Sequence, residues 1–196
     1  MKTLTHISIE DYLLQESQAE YKSEYHAGET VAMAGAREPH NAVVSNLIIL
    51  LGQCLWKGKC RVYPSDLLIS LPECEKFVYA DVTVVCEKVA LGEQRYGIDV
   101  LLNPTVVIEV LSESSELYDR VEKFACYKTL KSMQQYVLVD SRKVLVETFT
   151  RTAENDWLLK SVNDKAKKIK IGECEILVED IYHHVVFEKE ENTSQK

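Results

Sequence analysis

Thr105-Val-Val-Ile-Glu-Val-Leu111 is an unbroken apolar run with one carboxylate in it. Such a run, rich in β-branched residues, predicts a central strand covered on both faces. A carboxylate there is costly unless it is paired, hydrogen-bonded or bound to a cation. Side chains alternate along a strand, so Glu109 shares a face with Val107 and Leu111 and Val110 lies opposite. A second run, Phe77-Val-Tyr-Ala-Asp-Val-Thr-Val-Val-Cys86, carries Asp81 in the same way. Two carboxylates on neighbouring strands make an oxygen-ligand pocket for a hard cation such as Mg²⁺, with the backbone carbonyl of Val110 within reach of it.

Downstream, Ser112-Glu-Ser-Ser115 is a helix-start signal, and the helix is expected to run to about Leu130. Arg120, Lys123 and Tyr127 follow at three- and four-residue steps and so share one helical face, while Val121, Phe124 and Ala125 mark a core-directed one. Metal-assisted phosphodiester hydrolysis needs carboxylates for the cation and often a lysine to orient water or neutralise developing charge. Two residues after Glu109, where a lysine would share its face, stands Leu111. Lys123, whose helix begins near the end of the Glu109 strand, is the available substitute.

The rest of the chain fits one α/β domain, a mixed sheet with a helix on either side. Ser8 caps a short helix, with Asp11 as its first-turn acid. Glu29–Met33 is a short strand after Gly28. His40–Trp56 is a long helix whose apolar stripe includes Val43, Leu47, Leu51 and Leu55. Arg61–Leu71 and Phe77–Cys86 read as one strand each. Residues 89–103 read as an irregular connection. Gln135–Asp140 and Val144–Phe149 form a hairpin, and Trp157–Val162 and Ile169–Ile171 extend the sheet. Residues 1–187 form the expected domain, and 188–196 an acidic, disordered tail.

With 196 residues, 46% of them apolar and 28% charged, the chain has the balance of a soluble protein with a real core. No apolar stretch is long enough to span a bilayer, and the N-terminus lacks a secretory pattern, so the expectation is a cytoplasmic protein with no membrane partner. The six cysteines are scattered without a CxxC pair, which predicts reduced thiols. The net charge of −8 opposes non-specific nucleic-acid binding, although a bound cation and a local basic patch can act against that average. Lys165-Ala-Lys-Lys-Ile-Lys170 is such a cluster, and it reads better as a solvated edge strand.

The chain resembles the Uma-two family, within the PD-(D/E)XK restriction-endonuclease-like superfamily. The resemblance is carried by Gly28-Glu-Thr-Val-Ala-Met-Ala-Gly35, Pro39-His-Asn-Ala-Val-Val-Ser-Asn-Leu47, Cys60-Arg-Val-Tyr-Pro-Ser-Asp66 and Tyr79-Ala-Asp-Val82. Asn103-Pro-Thr-Val-Val-Ile-Glu-Val-Leu-Ser112 is its most specific part, followed by Tyr118-Asp-Arg-Val-Glu-Lys-Phe124 and Tyr127. It spans about Tyr21 to Tyr182. The resemblance implies a restriction-endonuclease-like core with a mixed central β-sheet flanked by helices. It also implies a metal-dependent endonuclease acting on DNA, with RNA as the alternative substrate; because cutting both strands of a duplex needs two sites, a homodimer is the expected assembly. It assigns Asp81 and Glu109 to Mg²⁺ or Mn²⁺, and the superfamily's strand lysine to Lys123. Glu29 resembles the superfamily's additional acid, and His40 falls in a family motif. Two loop positions depart: Ala80 and Glu113 stand where the family has proline.

Each assignment has a plainer competitor. Asp81 also reads as a strand-ending or turn-capping acid, Lys123 as an ordinary exposed helix lysine, and Glu29 as a strand-edge acid. His40 also reads as a helix-start residue and Asp66 as a turn or strand acid, while Asp119 and Arg120 read as a local ion pair or cap. For function, the competitors are a binding protein that kept the fold without the activity, and a metal-dependent hydrolase of another phosphoester.

Overall fold

Val106, Ile108 and Val110 face one way along strand β8 (Val106–Leu111), and Val107, Glu109 and Leu111 face the other. All six residues are buried, as the sequence predicts. The computed structural model describes residues 6–93 and 96–187; the expected acidic tail, 188–196, lies outside them.

Among the described residues β8 is central to a six-stranded sheet, ordered β11-β10-β9-β8-β6-β3. Its members are β3 (Arg61–Pro64), β6 (Val82–Val85), β9 (Gln135–Asp140), β10 (Val146–Arg151) and β11 (Trp157–Val162). β8 and β9 run parallel, and every other neighbouring pair is antiparallel. Helix α2 (Glu38–Leu55) lays Val43, Leu47, Leu51 and Leu55 over the Val106–Ile108–Val110 face. The opposite face meets Phe124 and Tyr127 of helix α3 (Phe124–Tyr127) and a second sheet.

That second sheet is ordered β2-β1-β5-β4-β7, from β1 (Ser23–His26), β2 (Glu29–Ala32), β4 (Leu68–Leu71), β5 (Lys76–Tyr79) and β7 (Val100–Leu101). Helix α1 (Ile9–Gln18) closes its outer side, with the Ser8 hydroxyl accepting from the Asp11 N–H at 3.1 Å as a helix cap.

Two expected single strands are each divided between the sheets. Arg61–Leu71 breaks into β3 and β4, and Phe77–Cys86 breaks at Ala80-Asp81 into β5 and β6. The residues on either side of the crossing, Val78-Tyr79 and Val82–Val85, are buried, so hydrophobic periodicity carries no mark of it. The expected irregular 89–103 connection contains the short strand β7, parallel to β4. Residues Lys168–Ile171 do not extend the main sheet; they pair with Cys174–Leu177 in a separate two-stranded sheet, lysines out and isoleucines in.

The expectation of reduced thiols is overturned. All six cysteines are paired, as Cys54–Cys174, Cys60–Cys86 and Cys74–Cys126. The partners lie 120, 26 and 52 residues apart, so no local spacing rule reveals them. Cys60 and Cys86, for example, flank the antiparallel β3–β6 pair, where Arg61 faces Val85. The cysteine argument for a reducing compartment falls with this pairing. Among the described residues no helix is long and apolar enough to cross a membrane.

Candidate functional site

Asp81 occupies the point where the chain leaves one sheet and enters the other. Val82 pairs with Ile108, so the next step along both strands sets Asp81 beside Glu109. The Asp81 N–H donates to Glu109 Oε2 at 3.3 Å, and the Val110 N–H donates to Asp81 Oδ2 at 2.7 Å. Val110 therefore turns a backbone edge toward the acids, beyond the end of its pairing with β6.

Lys123 reaches the same point from the helix. Its ammonium donates to the Tyr79 carbonyl at 2.8 Å and lies 3.1 Å from Glu109 Oε1, 3.2 Å from Glu24 Oε1 and 3.9 Å from Asp119 Oδ1. Three carboxylates thus gather around one buried ammonium, and Asp81 adjoins one of them, Glu109. Residues Tyr118–Lys123 form a π-helical turn. An α-helix would set positions five apart roughly 140° from one another, whereas i→i+5 bonding brings them close to one line. Tyr118 and Lys123 consequently face the same cluster, with the ammonium 5.8 Å from the centre of the Tyr118 ring.

The same turn corrects the expected helical face. Arg120 points away, 2.9 Å from Glu116 and 2.6 Å from Glu147. Tyr127 stays with Lys123, fully buried, and its hydroxyl has no hydrogen-bond partner. His40 comes in from the start of α2, with Nε2 3.3 Å from Asp81 Oδ2 and Nδ1 buried without a hydrogen-bond partner. Glu29 is exposed on β2 and does not join the cluster. Asp66 is on the surface, paired with Lys22.

The acid that the structure places near Lys123 from this part of the chain is Glu24, on the other arm of the hairpin. β1 and β2 are joined by Ala27 and Gly28, both with positive φ (47° and 100°), the backbone of a tight two-residue hairpin turn. Glu24 and His26 share one face of β1, while Tyr25 joins Tyr12 and Phe77 on the other. Two four-residue runs separated by Ala-Gly are the signal for this hairpin; the more familiar Asn-Gly or Asp-Gly is missing. Tyr118 and Asp119 also belong to the cluster, within the family stretch that carries Lys123, and His26 joins it without a motif to announce it.

Burial pushes the Glu109 carboxyl well above the usual carboxylate range; neighbouring Asp119, Asp81 and Glu24 add to this and Lys123 opposes it. Burial would lower the Lys123 ammonium, but Glu109, Glu24 and Asp119 outweigh it and hold it well above the usual lysine range. Glu24 differs from Glu109. Burial would raise it, yet Lys123 together with bonds from His26 and the Tyr79 N–H brings it below its ordinary value.

This donor set suits a hard cation. Glu109 Oε1 is buried with the Lys123 ammonium as its ion-pair partner at 3.1 Å and accepts no hydrogen bond, and burial with the nearby Asp119, Asp81 and Glu24 carboxylates makes its negative charge costly without a further cation. Among the described residues no three His, Cys, Asp or Glu side chains form a ready metal cage. Two carboxylates with backbone, water and substrate oxygens completing the shell is the habit of Mg²⁺.

A family model described as "Putative restriction endonuclease", Uma2, matches residues 9–174. The chain belongs to the Uma2 family. The matched span holds every cluster residue from Glu24 to Tyr127. Two proteins of Synechocystis sp. (strain ATCC 27184 / PCC 6803 / Kazusa), "Uncharacterized protein sll1609" and "Uncharacterized protein slr1290", are each 31% identical to this Uma2 family member. The matches cover 83% and 92% of this chain and 90% and 94% of theirs. A crystal structure of "a putative nuclease belonging to DUF820" from Anabaena variabilis ATCC 29413 superposes with a TM-score of 0.67 at 17% identity, covering 84% of this chain and 91% of that one. The shared architecture is the mixed α/β, restriction-endonuclease-like fold.

Proposed function

We propose that the protein is a metal-dependent endonuclease that hydrolyses phosphodiester bonds in DNA with Mg²⁺, or Mn²⁺ in its place. The observation that carries this reading is the meeting of Asp81, Glu109 and Lys123 at the junction of the two sheets, with Lys123 Nζ 3.1 Å from Glu109 Oε1. The family's description and the nuclease description of the structural neighbour support it.

Asp81, Glu109 and the carbonyl of Val110 are the groups that would hold the cation. When bound, it supplies a water of lowered pKa and a Lewis acid for the phosphoryl oxygens. Lys123 remains protonated, so it acts as a hydrogen-bond donor and a fixed positive charge and does not act as a base. It orients the attacking water and offsets charge that develops on the phosphoryl group. His40, beside Asp81, holds that carboxylate from the α2 side. Two copies, one site each, would cut both strands of a duplex.

Plasmid DNA incubated with Mg²⁺ or Mn²⁺ tests the reading. Nicking by wild type should fall about 10²–10³-fold in Lys123→Met, as for loss of one transition-state donor, and should disappear in Glu109→Gln. Cleavage that survives both substitutions in purified protein, or no cleavage by folded wild type with either metal, overturns it. A parallel single-stranded RNA substrate separates the nucleic acids.

A further inference from the structure

Glu24 stands apart from the acids assigned to the cation. Among the described residues it pairs with Lys123 and has no hydrogen bond to Asp81 or Glu109, and its two oxygens have separate tasks. Oε1 accepts the Tyr79 N–H at 3.2 Å and lies 3.2 Å from Lys123 Nζ. Oε2 lies 3.1 Å from His26 Nε2 and accepts the Tyr118 hydroxyl at 3.4 Å. That hydroxyl is also 3.0 Å from His26 Nε2, and the two rings stack with centroids 5.4 Å apart. The carboxylate is thus held from both sides, by β5 at one oxygen and by the His26–Tyr118 stack at the other.

The consequence is for Lys123. The Lys123 ammonium donates to the Tyr79 carbonyl at 2.8 Å and has two carboxylate oxygens as ion-pair partners, Glu109 Oε1 at 3.1 Å and Glu24 Oε1 at 3.2 Å. Glu109 is committed to the cation in the reading above. If it were the only carboxylate to fix the lysine, engaging it elsewhere would release the side chain. Tyr79 and Glu24 make the position of Lys123 independent of Glu109. Tyr79 supplies both a carbonyl to Lys123 and an N–H to Glu24, so one residue, two before Asp81, sets the lysine and its carboxylate partner together. Tyr118 starts the π-helical turn that Lys123 ends, which ties the outer oxygen of Glu24 to the same element that carries the lysine.

We infer that Glu24 is the positioning residue for Lys123, and that His26 and Tyr118 lock its carboxylate in place. The inference rests on the nuclease reading for its effect on turnover, but the geometry of Lys123 can be tested without it.

Two measurements on folded, full-length protein do so. In the first, metal-free protein is treated with acetic anhydride and acetylation of Lys123 is followed by mass spectrometry, with exposed lysines as internal reference. Lys123 should be protected in wild type, markedly more reactive in Glu24→Gln, and intermediate in Tyr118→Phe. In the second, cleavage is followed against Mg²⁺ concentration. Glu24→Gln should lower kcat about 100-fold, the scale of a misplaced catalytic group, with half-saturation by Mg²⁺ unchanged. Unchanged labelling of Lys123 in folded Glu24→Gln overturns the inference. So does a raised Mg²⁺ requirement at unchanged kcat, which would place Glu24 on the cation. If wild type does not cleave at all, the nuclease reading fails, and the labelling result still decides the role of Glu24.

Discussion

Glu109 Oε1 and Lys123 Nζ meet at 3.1 Å with side chains only 4% and 6% exposed, one from a central strand and the other from a π-helical turn. A buried ion pair of this kind adds little net stability, but breaking it leaves an uncompensated charge. Lys123→Met strands Glu109, Glu24 and Asp119 together and should cost about 3–5 kcal/mol. Glu109→Gln should cost less, because Lys123 keeps Glu24 and the Tyr79 carbonyl. Urea denaturation of both variants and of the double variant gives the pairwise term, and the double variant should cost less than the sum of the two.

Cation binding should appear as stability as well as activity. A ligand that binds only the folded state adds about 2.7 kcal/mol at 100 times its Kd. Wild type should therefore melt at a higher temperature in Mg²⁺ or Mn²⁺, and EDTA should reverse the shift. Asp81→Asn and Glu109→Gln should show no shift. A shift that persists in both variants would place the cation elsewhere.

The sequence carries the acids and the lysine because each is an exception to its surroundings. Glu109 interrupts an apolar strand, Asp81 interrupts another, and Lys123 sits within reach on the next helix. What it does not carry is the crossing between sheets at Ala80-Asp81, since Val78-Tyr79 before it and Val82–Val85 after it are buried alike. The π-helical turn is hidden for a related reason: a 3.6-residue period groups Arg120 with Lys123, and only the widened turn sends Arg120 to Glu147 and brings Tyr118 inward. Glu24 is hidden by its hairpin, whose Ala27-Gly28 turn lacks the usual Asn or Asp, leaving Glu29 as the visible acid. The disulfides are tertiary facts with no local trace.

The Cys54–Cys174 bond spans 120 residues and ties helix α2 to the strand at Cys174–Leu177. A cross-link that closes a loop of this size is worth about 4–5 kcal/mol in the chain-entropy account. Denatured protein alkylated without reductant should show no labelled cysteine. The Cys54→Ala, Cys174→Ala double variant should unfold at lower urea, with a change of that order. Six labelled thiols in protein purified under air would refute the pairing.

Glu24 gives a pH signature of defined sign. Lys123, His26, Tyr118 and the Tyr79 N–H face it, and in spite of burial Lys123, His26 and the Tyr79 N–H bring its carboxyl below its ordinary value of 4.5. A carboxyl with a depressed folded-state pKa contributes stability that is complete above the unfolded value and is lost as pH falls through the folded one. The stability difference between wild type and Glu24→Gln should therefore be constant from neutral pH down to about pH 5–6 and shrink below about pH 4.5. Urea midpoints of the two proteins, measured side by side across that range without metal, give the difference directly. A difference that grows on acidification would mean that the carboxyl is held protonated in the folded state, and that burial outweighs Lys123 at this position.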